Sequence, residues 1–131
     1  MKRAILTPGL LLLLLASRPA RGDDWSQFRG CGRDSVWKEQ GLLETFPADG
    51  LKPRWRVPAG GGFSSPVISR GRVYLIDAEL EAPRAWERIR CFDAKTGADF
   101  WTYRYEVHYD ESWFREGMKD GPRATPTLRA R

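Results

Sequence analysis

The chain has 131 residues, of which 41% are hydrophobic, 12% aromatic and 30% charged. This is the composition of a folded chain, because disordered segments are poorer in aromatic and β-branched residues. The length suits one small domain and is too short for a two-domain enzyme. With 22 basic and 17 acidic residues, the formal charge is +5, which would suit a nucleic-acid-binding protein if the basic residues lay in the folded part.

Residues 1–22 have the organisation of a secretory signal peptide. Lys2 and Arg3 give a basic start, residues 5–16 are an apolar run, and small residues at 20 and 22 precede an expected cleavage site before Asp23. The apolar run is shorter than the ~20 residues of a membrane-spanning helix. A lipid-anchored form would need a cysteine at the cleavage site, and the first cysteine is Cys31. We therefore expect an exported protein, periplasmic or secreted, with no stable membrane span after the signal peptide is removed.

Removing this leader changes the charge argument. The remaining 109 residues carry 18 basic and 17 acidic side chains, so the mature chain is almost neutral. It lacks the concentrated positive charge that nucleic-acid binding needs, and we expect no nucleic-acid partner. An oxidising compartment would allow Cys31 and Cys91 to pair. Cys91, however, lies in a strand-like run where a buried free thiol is the commoner arrangement, and we expect no disulfide.

After the leader, the apolar runs are short, alternating and bounded by Gly, Pro and Asp, which predicts β-structure almost throughout. A lead-in segment comes first, at residues 23–52, with one short turn or strand at 40–46. Predicted strands follow at residues 53–57, 65–69, 72–78, 87–92 and 100–107. Between them we expect a flexible link at Gly60-Gly61-Gly62, a tight hairpin turn at Arg70-Gly71 and a polar excursion at residues 79–86.

A tight turn is predicted at Asp93-Ala94-Lys95-Thr96-Gly97, because Asp93 can accept backbone N–H bonds and Gly97 can adopt a positive φ. Two segments also recur along the chain: residues 64–68 resemble 124–128, and residues 54–57 resemble 100–103. A four-stranded unit of ~40 to 50 residues is typical of a β-propeller blade. We therefore predict an all-β fold, with one antiparallel four-stranded blade at about residues 64–107 of a partial propeller domain that spans residues 53–131.

The stretch from Cys91 to Trp101 resembles the tryptophan-docking motif of pyrroloquinoline-quinone (PQQ) repeat propellers, Ala-x-Asp-x-x-Thr-Gly-x-x-x-Trp. Only the first position departs, since Cys91 stands where the motif has Ala. Residues 24–30 and 121–127 are similar to the lead-in and to the next blade of exported bacterial proteins with this repeat. The resemblance implies that Trp101 stacks between its own blade and a neighbouring one. It also implies that Asp93, Thr96 and Gly97 hold the turn, so the structural docking motif consists of Asp93, Thr96, Gly97 and Trp101.

Two functions are compatible with this resemblance. The first is a non-catalytic exported propeller for protein interaction or scaffolding, with an unidentified protein as its partner. The alternative is a fragment of a PQQ-dependent alcohol or sugar dehydrogenase, which would bring PQQ and calcium as cofactors. Such enzymes need a catalytic Asp, calcium ligands and often adjacent cysteines, whereas Cys31 and Cys91 are far apart and the chain contains no Asn. We favour the first function and assign no catalytic, cofactor-binding or metal-binding residue.

A complete propeller has roughly 4 to 8 blades, so we predict that the chain is a truncated fragment of a longer propeller. One blade cannot bury both of its faces, and we expect self-association through the open sheet faces. In the long connection at residues 106–121, Trp113 and Phe114 are expected to cover the sheet's own open face, with binding to a partner as the alternative. His108, the one histidine, is expected to be a loop residue, because no second His or thiolate cluster is near it in the sequence.

Overall fold

The computed structural model of the chain describes residues 22–114 and 120–129. The predicted signal peptide therefore lies outside the described residues, apart from Gly22, as does the part of the long connection at residues 115–119. None of the helical segments within the described ranges is long and apolar enough to cross a membrane.

The fold is a single antiparallel sheet of four strands, in the order β1-β2-β3-β4. The strands are β1 (Val67–Ser69), β2 (Arg72–Glu81), β3 (Arg84–Asp93) and β4 (Asp99–Val107), followed by a short 3-10 helix, Glu111–Phe114. Each strand pairs with the next one along the chain, as tight hairpin connections require. The prediction of a mainly β, four-stranded antiparallel structure is confirmed.

The polar excursion predicted at residues 79–86 is wrong, because β2 and β3 continue through it. The two strands stay paired as far as Glu81 opposite Arg84, where the chain reverses at Ala82-Pro83. The charged residues had suggested a loop, but they alternate with half-buried and buried residues such as Leu80 and Ala85. This is the pattern of strands with one solvated face.

The strand predicted at residues 53–57 is also wrong: the structure has no strand there. The predicted alternation of burial is present, however, because Trp55 and Val57 are half-buried while Arg54 and Arg56 are exposed. The first strand of the sheet is shorter than predicted and begins at Val67, after Pro66, which has no N–H to donate to a ladder. Residues 40–46 contain bends and no strand.

The glycines at 60–62 do not form the flexible link that their composition suggested. Gly61 exchanges two backbone hydrogen bonds with Ala78, with N···O distances of 3.1 and 2.8 Å. The Gly60 N–H donates to the Asp77 carboxylate at 2.8 Å. A Cβ atom at Gly60 would collide with the Ala78 carbonyl oxygen. Glycine is needed here because the chain lies directly against the backbone of β2.

The two faces of the sheet differ in chemistry. The register places Tyr74, Trp101, Tyr103 and Tyr105 on one side, which we term the aromatic face. The opposite side, termed the charged face, carries Asp77, Glu79, Arg88, Arg90 and Arg104. The core residues between and beside them are Val67, Ala78, Ala85, Trp86, Cys91 and Phe92. Cys91 is buried, as predicted from its strand-like surroundings, and both it and the exposed Cys31 are free thiols.

Candidate functional site

The turn between β3 and β4 is built around the Asp93 carboxylate. Its Oδ1 accepts hydrogen bonds from the backbone N–H of Lys95 and Thr96, at 2.9 and 2.7 Å, and from the Thr96 hydroxyl at 2.9 Å. Gly97 closes the turn with φ 74° and donates its N–H to the Asp93 carbonyl at 2.8 Å. These bonds, that of the Thr96 hydroxyl first, hold the pKa of Asp93 below its usual value. The predicted turn chemistry of Asp93, Thr96 and Gly97 is confirmed.

A tryptophan is bound to this turn, but it is Trp55. Its indole Nε1–H donates to the Ala94 carbonyl at 3.0 Å. Its ring lies on Gly97, where an added Cβ atom would be 2.7 Å from Trp55 Cδ2. Gly97 therefore serves two purposes, since it supplies the positive φ and leaves room for the indole. The available signal was the similarity of residues 54–57 to 100–103, which indicates a repeat but does not indicate that Trp55 binds this turn.

Trp101, the tryptophan of the predicted docking motif, lies elsewhere. It stands on β4 opposite Cys91, with its ring on the aromatic face and tilted against Tyr74 at a centroid distance of 6.1 Å. Its side chain remains 43% exposed. The structure thus brings Asp93, Thr96 and Gly97 together and places Trp101 outside that cluster, on an open surface.

One end of the aromatic face is covered by the chain itself. The hydroxyls of Tyr105 and Tyr109 both donate to the Glu87 carboxylate. Trp113 stacks on Tyr109, with the ring centroids 4.6 Å apart and the planes at 21°. The bond to Glu87 raises the pKa of Tyr105 to about 12. For Tyr109, burial and the same carboxylate raise the pKa as well, so both phenols keep their protons at neutral pH.

The other end of the aromatic face is open. Tyr103 is 59% exposed, and Trp101 lies two residues away on the same side of β4. β4 is also the last strand of the sheet, so its outer backbone edge faces away from β3. Exposed aromatic rings beside an edge strand are a surface suited to another protein, because large flat side chains bury much apolar area with little loss of conformational freedom. Trp101, Tyr103 and the edge of β4 together form the candidate interaction surface.

On the charged face, neighbouring strands are joined by ion pairs. Arg88 binds both oxygens of the buried Asp77 carboxylate, at 2.7 and 2.8 Å, and Arg90 adds a third guanidinium contact at 3.4 Å. Burial alone would raise the pKa of Asp77, but the bonds from Arg88 and from the Gly60 N–H, with the charges of Arg88 and Arg90, outweigh it and lower the pKa. A carboxylate held in this way is an ionised structural anchor.

Two further predictions concern His108 and a metal site. His108 is exposed in the loop after β4, as predicted. Within residues 22–114 and 120–129, no three His, Cys, Asp or Glu side chains lie close enough together to hold a metal ion.

The two similar segments 64–68 and 124–128 lie next to each other. The Ser65 N–H donates to the Thr125 hydroxyl at 3.1 Å, and the Phe63 N–H donates to the Pro122 carbonyl at 2.9 Å. On the other side, Trp25 of the lead-in segment exchanges two backbone bonds with Ile68 of β1, at 2.8 and 2.9 Å. Trp25 is therefore paired with β1 itself, while residues 122 and 125 are bonded to the segment that leads into β1.

Comparison with known proteins adds no relative: family models, curated proteins and solved structures were all searched, and none of them matches this chain.

Proposed function

We propose that the chain is the opening part of an exported β-propeller of the PQQ-repeat type, which serves protein interaction or scaffolding without a catalytic centre. The four-stranded antiparallel sheet has the size and strand order that one blade requires. A protein partner, rather than a small molecule, suits an open sheet face with exposed aromatic rings. Asp93, Thr96, Gly97 and Trp101 have structural roles in this proposal.

The contact between Trp55 and the turn at 93–97 carries the proposal. Trp55 precedes the sheet and contacts a turn 39 residues away. Its indole N–H donates to the Ala94 carbonyl, and its ring packs on Gly97. Trp101 has the equivalent place in the repeated segment, and its ring is exposed on the last strand. In the proposed propeller, the tryptophan of each unit packs on the turn of the next unit. Trp101 would then bind the turn of a following blade as Trp55 binds the turn at 93–97.

The placement of residues 121–128 supports the same arrangement. They resemble the segment that leads into β1, and they run beside it through Ser65 and Thr125. In a propeller, the first strands of successive blades surround a central channel and would lie next to each other in this manner. The chain would thus contain one blade, the contact segment that precedes it and the start of another.

The DNA downstream of codon 131 gives the direct test. We expect at least one further Asp-x-x-Thr-Gly-x-x-x-Trp pattern there, in the same or a shifted frame, followed by further strand signals. The absence of any such repeat would overturn the propeller proposal.

The non-catalytic part of the proposal needs an assay of its own. The exported protein is incubated with PQQ and Ca²⁺ and tested for dye-linked oxidation of alcohols and sugars, with a known quinoprotein dehydrogenase as positive control. We expect no turnover above the rate without protein. Measurable turnover or tight binding of the quinone would instead assign the chain to the dehydrogenase class.

A further inference from the structure

The lead-in segment forms an acidic, tryptophan-lined cleft against the β1–β2 hairpin. The cleft has a volume of about 940 Å³, and Trp25, Trp37 and Ile68 are among its apolar lining. Three carboxylates also line it, from Asp23, Asp24 and Glu39, against the single guanidinium of Arg70. The charge around the cleft is therefore negative, which favours a cationic group.

The start of the mature chain lies at the edge of this cleft. The Asp23 N–H donates to Glu39 Oε1, across 16 residues of sequence. A Cβ atom at Gly22 would lie 3.2 Å from the same oxygen, so the peptide bond between Gly22 and Asp23 is next to the Glu39 carboxylate. Asp24 is engaged differently, since its carboxylate accepts the Ser69 hydroxyl at 2.7 Å and the Arg70 N–H at 2.9 Å. Glu39 is thus the carboxylate that meets the nitrogen of Asp23.

We propose that removal of the leader creates an ion pair between the new α-ammonium group of Asp23 and the Glu39 carboxylate, and that this pair fastens the mature N-terminus in the cleft. The inference rests on the export proposed above. A leader peptidase would hydrolyse the Gly22–Asp23 bond with one water molecule, leaving a carboxylate on Gly22 and an amine on Asp23. That amine takes up a proton, since α-amino groups have pKa values of ~7.7 to 8.0.

Processing would strengthen a contact that already exists in the precursor. The neutral Asp23 N–H offers Glu39 one hydrogen, whereas an ammonium group offers three and a full positive charge. The bond in the precursor already has a charged acceptor, and cleavage adds a charged donor, so that the hydrogen bond becomes an ion pair. The consequence reaches the sheet, because the next residues, Asp24 and Trp25, bind the hairpin turn and pair with β1. Cleavage would therefore stabilise the pairing of Trp25 with the edge strand β1 after export.

The test begins with the full chain, leader included, produced in an exporting bacterium. Mass spectrometry of the exported protein determines its first residue, and we expect Asp23. The α-amine is then titrated through the pH dependence of its reductive methylation with labelled formaldehyde. Besides Glu39, the charged side chains that line the cleft are those of Asp23, Asp24 and Arg70, and Asp34 and Lys38 line an adjoining cavity that Asp23 also borders. We expect its pKa to be raised by about half a unit above an unstructured α-amine, the size of an exposed ion pair.

Two variants identify the partner. Glu39→Gln should lower the pKa of the α-amine by most of that half unit, and high salt should do the same in the parent protein because exposed pairs are screened. Glu44→Gln removes the same charge from an exposed position of the same segment and should leave the pKa unchanged. The proposal is overturned if the parent and Glu39→Gln give the same pKa, whether or not the N-terminal segment is folded.

The outcomes also separate this inference from the export proposal. An exported protein that begins at another residue, or a chain that keeps its leader, would contradict the expected processing. In that case, the ion pair can still be tested. A chain that begins at Asp23 is released from a fusion partner, and the pKa of its α-amine is measured in the same way. Correct processing without any effect of Glu39→Gln would leave export intact and remove only the ion pair.

Discussion

Trp55 and Trp101 occupy equivalent positions of a repeated segment, yet the structure treats them in opposite ways. Trp55 is bound to the turn at 93–97 through its indole N–H and its ring. Trp101 is 43% exposed on the last strand, and its ring is tilted against Tyr74 of its own sheet. The turn is therefore occupied by a tryptophan that precedes the sheet, and the sheet's own tryptophan faces outward. The difference shows that this contact links the turn to the segment before the sheet, 39 residues away along the chain.

Gly97→Ala should give the largest loss of stability, because it affects the turn and Trp55 together. A non-glycine residue at φ 74° costs ~1–2 kcal/mol, and the added Cβ would press on the indole, at a further cost of ~1–3 kcal/mol. We expect a total loss of about 3 kcal/mol, measured by urea unfolding followed by circular dichroism.

Gly71→Ala is the matched control. Gly71 has φ 73° in the β1–β2 turn, with nothing within 4 Å of the position that a Cβ would take. It should cost only the ~1–2 kcal/mol of the backbone conformation. Equal losses in the two variants would show that the Trp55 contact does not contribute to stability.

Replacing each tryptophan by alanine tests the comparison directly. Trp55→Ala removes a half-buried ring and the hydrogen bond to Ala94, and should destabilise the protein by about 2 kcal/mol. Trp101→Ala removes a more exposed ring and should cost less than about 1 kcal/mol. Urea midpoints compare the two, and a larger loss from Trp101→Ala would reverse the roles assigned here.

Local signals in the sequence predicted the turn and most of the sheet, while the Trp55 contact needed the structure. Asp93, Thr96 and Gly97 act within five residues, so their pattern alone predicts their bonds. The Trp55 contact spans 39 residues and depends on how the chain before the sheet packs against the turn, which no local pattern encodes. For the same reason, the charges at 79–86 suggested a loop although Arg84 binds Glu106 across the strands at 3.0 Å.

The open surface could be predicted only in part. The motif resemblance predicts that Trp101 contacts a neighbouring blade, and incomplete burial of a single sheet was expected from its size. The expectation that Trp113 covers the sheet's own face agrees with its stacking on Tyr109, whereas the bond from Tyr109 to Glu87 needed the structure. Composition also misled at Gly60 and Gly61, where glycine permits close contact with β2 rather than flexibility.

Self-association tests whether the exposed tryptophan is a binding surface. The double variant Trp101→Ser, Tyr103→Ser should weaken self-association by roughly tenfold or more, since central aromatic residues of an interface often contribute about 2 kcal/mol each. Sedimentation velocity over a range of concentrations measures the change.

The control for this experiment is Leu43→Ser, Phe46→Ser. These side chains are 63% and 72% exposed in the lead-in segment, away from β4 in the sequence. The control should associate like the parent chain. A parent chain that stays monomeric, with a sharp two-state transition, would contradict an open interaction surface on the aromatic face.

Acid pH should weaken the turn that holds Trp55. We expect this loss of stability to be the smallest of the four predicted effects. The pKa of Asp93 is lowered in the folded protein, the Thr96 hydroxyl being the first cause. Its stabilising contribution is therefore complete above the unfolded pKa of about 3.9 and is lost as the pH falls through the lower folded value. Asp93→Asn keeps an oxygen acceptor but cannot titrate, so its urea midpoint should fall less between pH 5 and pH 3 than that of the parent. Asp110→Asn, in the exposed loop after β4, should follow the parent. If Asp93→Asn also follows the parent, the Asp93 carboxylate does not couple acid pH to the turn on which Trp55 rests.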